Sequence, residues 1–270
     1  MGQLLLKDEN LVIQNGLNPN NLPRILAVIP ARYASVRFPG KPLVEIQGKS
    51  MIQHVWERVK QVQSIHDAII ATDDPRIKQT AEGFGAQVCL TREDHPSGTD
   101  RAWEVAATLP DYDWILNVQG DEPLINPAHL ETAILAIQDY SAADLITLVS
   151  PLHDFEEWHD PNIVKAVLAQ DGRALYFSRS PVPYHRETPG YPRHTFRHVG
   201  IYLYRRTILE QFTQLAPSPL EQIEKLEQLR ALEAGMAIYA AVVDEAPIGV
   251  DTPHDLVRIA DSLRERLPRL

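Results

Sequence analysis

The chain has 270 residues, 44% of them apolar, with 36 acidic side chains against 26 basic ones and a formal charge of −10. That size and apolar share fit one large α/β domain, or a core domain carrying a small lobe, and the acidic balance excludes a general nucleic-acid surface, which needs a basic stripe. A single cysteine, Cys89, excludes an intrachain disulfide and fits a reducing compartment, and no apolar run approaches the ~20 residues of a membrane span.

Residues 1–23 are rich in turn formers (Asn15-Gly16, Asn18-Pro-Asn-Asn21) and read as an irregular extension outside the fold. Leu4-Leu5-Leu6 runs at once into Lys7, Asp8 and Glu9, too short for a signal-peptide core, and Leu6 stands where a myristoylation signal needs Ser or Thr. The expected location is the cytoplasm, with no membrane insertion.

Ile25-Leu-Ala-Val-Ile29 is an apolar, β-branched run of the kind a buried strand needs. It breaks at Pro30 into a loop holding Arg32, Ser35, Arg37, Gly40 and Lys41. Ser50 then stands before a helix with an apolar face of Met51, Ile52, Val55, Trp56 and Val59. A second strand, Ala68–Thr72, ends in Asp73-Asp74-Pro75, and Pro75 opens a helix closed by Gly83 and Gly85. Gln87–Thr91 is a third strand, with Cys89 in it as a buried structural thiol. The loop from Arg92 to Thr99 leads into a helix through Leu109. Trp114–Val118 is the fourth strand, ending in Gln119-Gly-Asp-Glu-Pro123. A helix over about 127–138 and a strand over Leu145–Val149 follow. Alternating strands and helices with short connections predict a doubly wound, mostly parallel sheet.

The alternation then changes. Ile163–Leu168, a turn at Gln170-Asp-Gly-Arg173 and Ala174–Phe177 predict a hairpin. A proline-rich loop, 181–192, and a strand over His198–Tyr204 complete a small β-rich lobe at about 155–205, which packs against a partner or covers the site. Leu220, Ile223, Leu226 and Leu229 predict the apolar face of one helix ending at Gly235. Ile238–Val243 is the last strand, and Thr252-Pro-His-Asp255 is a capping box for a closing helix.

Three cations in one loop repel one another unless an anion lies between them, and a loop after a buried strand is where an open α/β sheet places its ligand. A triphosphate suits them; a solvated basic loop is the plain alternative. The P-loop pattern is excluded, because Lys41 is followed by Pro42 and no glycine lies five residues before Gly40. Asp121 and Asp251 each follow a strand, so their carboxylates can share a Mg²⁺ ion at that sheet edge. Each also reads as an ordinary turn aspartate, and Asp73 and Asp74 share the position. Ser97-Gly98-Thr99 before a helix is a good N-cap on physics alone. Glu227 and Gln228 lie off the leucine face, which suits solvated polar residues, and His198 suits a satisfied strand histidine.

Ala31-Arg-Tyr-Ala-Ser-Val-Arg-Phe-Pro-Gly-Lys-Pro-Leu43 resembles the signature loop of the 3-deoxy-manno-octulosonate (KDO) cytidylyltransferases, within the sugar-activating nucleotidyltransferases. Gln119-Gly-Asp-Glu-Pro123, Gly249-Val-Asp-Thr-Pro253 and Asp94-His-Pro-Ser-Gly-Thr-Asp-Arg101 resemble further family motifs, as do Phe177-Ser-Arg179, Arg197–Tyr202 and Pro217–Arg230, all in family order. The departures are the N-terminal extension, the composition of the 181–192 loop, and the exit of the last strand.

The resemblance implies one cytidylyltransferase domain over 24–270 that joins CTP to KDO, giving CMP-KDO and diphosphate for lipopolysaccharide or a related polysaccharide. It implies Arg32, Ser35, Arg37 and Lys41 on the triphosphate, Ser97, Gly98 and Thr99 on cytosine, and Gln119 beside the nucleotide. It also implies Asp121 and Asp251 on Mg²⁺, with Arg32, Lys41 and both aspartates catalytic. Arg179 is implied for the sugar carboxylate, and His198, Tyr202, Glu227 and Gln228 for its hydroxyls. A homodimer formed through the β-rich lobe is expected. Two alternatives stay open at this stage: a cytidylyltransferase for another acidic sugar, such as sialic acid or amino-KDO, and a non-catalytic nucleotide-binding module.

Overall fold

A computed structural model describes residues 23–34, 38–186, 195–247, 249, 250, 255, 256 and 259. The first strand, β1 (Ile25–Pro30), sets the geometry. Its apolar residues are fully buried on both faces, which suits a strand in mid-sheet covered by helices on either side. Ile25, Ala27 and Ile29 join one core layer, while Leu26 and Val28 join the other. β4 (Asp67–Thr72) and β6 (Trp114–Asn117) pair with β1 in parallel on its two sides, and β5 (Gln87–Leu90) extends the sheet beyond β4.

The helices divide between the two faces. α1 (Met51–Val59), α2 (Pro75–Gly83) and α4 (Pro127–Asp139) cover the layer containing Ile25, through Ile52, Val55, Ile77 and Leu130. α3 (Gly98–Ala107) and α6 (Arg206–Gln214) cover the other, through Ala102, Val105, Leu209 and Phe212. The chain fills one side of β1 with β4 and β5, then crosses by α3 to β6 on the other side. That reversal opens a crevice at the carboxyl ends of β1 and β6, where ligands bind in doubly wound sheets.

Beyond β6 the sheet continues through β10 (Phe196–Arg205), β7 (Leu145–Pro151) and β11 (Ile238–Val242). β10 runs antiparallel to both neighbours, which makes the sheet mixed, and its register shifts between Val199 and Tyr202. Thr147 occupies that irregularity, its hydroxyl lying 3.1 Å from Val199 O and 2.9 Å from Ile201 O. The predicted hairpin is β8 (Lys165–Leu168) with β9 (Ala174–Ser178), turning at Gly172 with φ +85°. It hangs on the first residues of β10, so the strand read as part of the lobe belongs mainly to the central sheet. A two-stranded ribbon, β2 (Glu45–Ile46) and β3 (Lys49–Ser50), forms a second small sheet.

Several local expectations need correction. The single helix expected after Pro219 is two: α7 (Pro219–Glu224) and α8 (Gln228–Glu233), separated by Lys225 in a left-handed conformation. Ile223, placed on the buried face by periodicity, is 77% exposed. α5 (Phe155–His159) and α6 are additional helices. Ser50 precedes α1 but makes no side-chain cap; its buried hydroxyl has no hydrogen-bond partner among the described residues. Cys89 is half-buried on the edge strand, and burial raises its thiol pKa. Residues 1–22 of the N-terminal extension, and Thr252, Pro253 and His254 of the capping box, lie outside the described residues. Among the described residues no helix is long and apolar enough to cross a membrane.

Candidate active site

The crevice beside β1 and β6 is a cleft of about 640 Å³, a size that holds a nucleotide with a second small substrate. Its floor is made by two strand ends in close approach. A Cβ on Gly120 would lie 2.6 Å from the Pro30 carbonyl oxygen, so only glycine lets the loop after β6 pass the end of β1 this closely. Arg32 leaves β1 exposed on one wall. Lys41 opens a 3₁₀ turn, Lys41–Leu43, behind Gly40, whose φ of +72° lets the chain reverse. Lys41 is buried, and its Nζ reaches Asp121 Oδ2 at 2.7 Å.

Asp121 is thus held between two chain segments. Its carboxylate meets Lys41, and its carbonyl accepts the Val250 amide at 3.0 Å. Glu122 beside it is enclosed, and one carboxylate oxygen has no hydrogen-bond partner among the described residues. Burial, then the neighbouring Asp121 charge, pushes its pKa up to about 8, with Lys41 opposing. A hard divalent cation fits Asp121: the carboxylate is 41% exposed towards the cleft, and Mg²⁺ commonly takes one or two protein carboxylates, filling its shell with water and phosphate oxygens. Among the described residues no group of three or more His, Cys, Asp or Glu gathers as a dedicated metal cage.

The loop into α3 forms the next wall. Ser97 Oγ accepts the amides of Thr99 and Asp100 at 3.1 and 3.2 Å, a side-chain cap that fixes the Ser97-Gly98 backbone at the cleft. α3 ties this loop down twice more. Arg101, 3% exposed, donates to Arg92 O at 3.1 Å and to Thr91 Oγ1, and lies 3.6 Å from Asp73. Glu104 accepts from the Arg92 amide and pairs with His95 Nε2. Burial opposes ionisation, but the hydrogen bonds from His95 and the Arg92 amide outweigh it and hold the Glu104 carboxyl below its usual range.

The opposite wall comes from α7 and α8. Thr99 Oγ1 donates to Glu227 Oε2 at 2.7 Å, joining it to the start of α3. Burial raises the Glu227 pKa against the Thr99 and Ser97 hydrogen bonds, and its other oxygen has no hydrogen-bond partner among the described residues. Arg230 forks onto Glu221 at 2.8 and 2.6 Å, stacks on Phe212 and lies 3.9 Å from Glu227.

Of the residues singled out from sequence, Arg32, Lys41, Ser97, Gly98, Gln119, Asp121 and Glu227 line this one cleft. Thr99 lies just beneath it, bonded to Glu227. Gln228 is buried, with its amide nitrogen unpartnered among the described residues. His198 sits between the Phe177 and Tyr202 rings with Nε2 3.0 Å from Thr147 Oγ1, and burial drives its pKa down to about 3. Tyr202 is buried, and its phenol is raised well above the usual value. Arg179 stands apart from the lining, with its guanidinium on backbone carbonyls: Glu224 O at 2.7 Å, Pro161 O at 2.9 Å and Lys225 O at 3.5 Å. Ser35, Arg37 and Asp251 lie outside the described residues. Among the lining residues not singled out are His95, Arg101, Lys225 and Arg230. The first two sit inside the quoted Asp94–Arg101 motif, where nothing separates a buried cation or imidazole from a surface one.

Comparison with known proteins agrees with this geometry. A cytidylyltransferase family model matches residues 26–238. The 3-deoxy-manno-octulosonate cytidylyltransferase of Syntrophotalea carbinolica is 51% identical over 248 residues, 89% of this chain and 98% of that one. The enzyme of the same name from Myxococcus xanthus is 50% identical over 243 residues, 90% of this chain and 98% of that one. The solved structure of CMP:2-keto-3-deoxy-manno-octonic acid synthetase complexed with CTP superimposes with a TM-score of 0.86 at 44% identity, over 90% of this chain and 100% of that one. With near-complete coverage at this identity, and with the motif residues gathered at one switch-point cleft, the chain belongs to the 3-deoxy-manno-octulosonate cytidylyltransferase family.

Proposed function

We propose that this protein transfers the cytidylyl group of CTP to KDO, releasing diphosphate. The observation that carries the reading is the meeting of Lys41 with Asp121 at the mouth of the switch-point cleft, a cation for phosphate beside a carboxylate for metal. The anomeric hydroxyl of KDO attacks the α-phosphorus in line. The bond from that phosphorus to the bridging oxygen breaks, diphosphate leaves, and the hydroxyl proton passes to water. No covalent protein intermediate is needed, so the protein acts by positioning and by stabilising charge.

Arg32 and Lys41 hold the triphosphate and offset charge on the departing diphosphate, joined by Ser35 and Arg37 from the same loop. Ser97, Gly98 and Thr99 offer small side chains and backbone groups to cytosine, and Gln119 lies beside the nucleotide. Asp121, with Asp251, holds Mg²⁺. The bound ion supplies Lewis-acid charge at the α-phosphate. For the sugar, this reading assigns Arg179 to the carboxylate and His198, Tyr202, Glu227 and Gln228 to the hydroxyls.

The product supplies lipopolysaccharide or a related polysaccharide, and the protein works in the cytoplasm; its lone, half-buried Cys89 suits a reducing compartment. It works as a homodimer through the β8–β9 side. Exposed Phe155 and Leu175 support that face, as does Tyr184, two residues from Val182, whose carbonyl accepts the Trp158 indole beside Phe155.

The test is diphosphate release from CTP and Mg²⁺ with KDO, sialic acid and no sugar in parallel. Release with KDO alone is expected. Release with sialic acid alone would keep the nucleotide site and overturn the sugar; CTP binding without release would overturn catalysis.

A further inference from the structure

We propose that Arg76, the second residue of α2, is a positioning residue for the triphosphate loop: through the Tyr33 ring it sets the spacing of Arg32 and Lys41, a role that rests on the cytidylyltransferase reading above. Those two cations stand at opposite ends of one loop and line the same cleft. They can serve a single triphosphate only if the two ends keep a fixed separation. The ends are tied at the residues beside them. The Gly40 amide donates to the Tyr33 carbonyl at 3.0 Å, and a Cβ on Gly40 would lie 3.1 Å from Tyr33 Cε2. Tyr33 follows Arg32 in the chain and Gly40 precedes Lys41, so each tied residue has one of the cations next to it.

The tie is braced from α2. The Arg76 guanidinium lies over the Tyr33 ring, 3.5 Å from its centroid, well within the distance at which a cation is drawn to an aromatic face. Asp74 aims it. Asp74 Oδ1 accepts from Arg76 Nε at 3.0 Å and Oδ2 from Nη2 at 2.6 Å, a fork that fixes the guanidinium plane. The same Oδ1 accepts the Arg76 amide at 2.8 Å and so caps α2. α2 is seated in the core by Ile77 and Ala81, both fully buried, and Tyr33 packs against the same layer. A line of contacts therefore runs from the core through α2, Asp74 and Arg76 to Tyr33, Gly40 and the two cations. Capping the helix needs Asp74 alone; it does not need the guanidinium to lie on a ring from another loop. Nor is Arg76 a spare cation for phosphate, since its charge is already met by the Asp74 carboxylate.

Nucleotide affinity tests this without turnover. Arg76→Gln keeps a good helix former at a side chain that is 58% exposed, and removes the guanidinium. Calorimetric titration with Mg²⁺ present is expected to show CTP binding weakened about fivefold, the scale of one cation–π contact, while CMP, which lacks the outer phosphates, changes less than about twofold. The melting temperature is expected to stay at the wild-type value. Tyr33→Leu is expected to weaken CTP binding at least as much, and adding Arg76→Gln to it to cost nothing further, because the second change then removes a contact already lost. An unchanged Kd for CTP in Arg76→Gln would overturn the assignment, as would equal losses for CTP and CMP. Additive losses in the double variant would overturn it too, since Arg76 would then act without Tyr33. A wild type that binds no CTP would overturn the functional reading and this one together. A wild type that binds CTP but releases no diphosphate with KDO overturns the functional reading alone, whereas an Arg76→Gln variant that binds CTP like an active wild type overturns the positioning role alone.

Discussion

Lys41 Nζ and Asp121 Oδ2 lie 2.7 Å apart across the mouth of the cleft, one from the loop after β1 and the other from the loop after β6. Their side chains are 11% and 41% exposed, so the lysine is held by its surroundings and the carboxylate keeps a face for ligand. The two groups fix each other before substrate arrives, which lowers the cost of ordering them during the reaction. Lys41→Met and Asp121→Asn are each expected to lower kcat by about 10²–10³, the scale for losing one preorganised charge at a transition state. Near-normal turnover in either variant, with melting temperature unchanged, would break the link between this pair and catalysis.

Gly120 tests the floor in a different way. Its missing Cβ leaves room for the Pro30 carbonyl, and the 2.6 Å approach that an added Cβ would make is to backbone, which cannot rotate away. Gly120→Ala is expected to destabilise the fold by about 1–3 kcal/mol, as overpacking does, and to weaken CTP binding as the two strand ends separate. The urea midpoint and CTP titration read these effects separately.

Much of this arrangement was legible in the sequence because its cause is local. Ile25–Ile29, Ala68–Thr72 and Trp114–Val118 are apolar enough to be strands only if buried, and each ends at a polar loop, which placed Lys41 and Asp121 at one edge. The α7–α8 break was not legible, since the leucine spacing argues for one helix and nothing at Lys225 argues against it. The cause is tertiary: Ser178 and Arg179, some 46 residues away, bind Glu224 and the carbonyls beside it. The reversed direction of β10 was likewise hidden, because an apolar strand reads the same in either sense. α6 is a different case. Ile208, Leu209, Phe212 and Leu215 recur at helical spacing and all pack on the core, so its signal was present in the chain.

His198 gives the protein an acid-sensitive element. Burial lowers its pKa from the usual 6.5 to about 3, so the folded ring stays neutral while the unfolded ring takes up a proton. Between those values the unfolded state binds more protons, and stability therefore rises with pH from about 3 to about 6.5 and is lost as pH falls through that window. His198→Asn is expected to remove up to one proton from the uptake that accompanies unfolding. Urea midpoints measured at intervals from pH 4 to 7 check this, and equal slopes for variant and wild type would contradict it.

Lys165 supplies the last prediction. It is fully buried, and its ammonium donates to Asp160 O, Ile163 O and Arg179 O at 2.8, 2.6 and 2.7 Å. Burial lowers its pKa, yet three carbonyls directed at one ammonium are a good reason for a charge in this place. Lys165→Met fills the volume and leaves all three acceptors without their donor. The expected loss is about 3 kcal/mol, since orphaned buried acceptors keep their desolvation cost. One of the three is the carbonyl of Arg179, the residue assigned to the sugar carboxylate. Lys165→Met is therefore expected to raise KM for KDO more than KM for CTP, in addition to lowering the melting temperature. A stability loss with both KM values unchanged would show that the β9 end keeps its place without Lys165, and would leave the Ser178 and Arg179 contacts to Glu224 as its support.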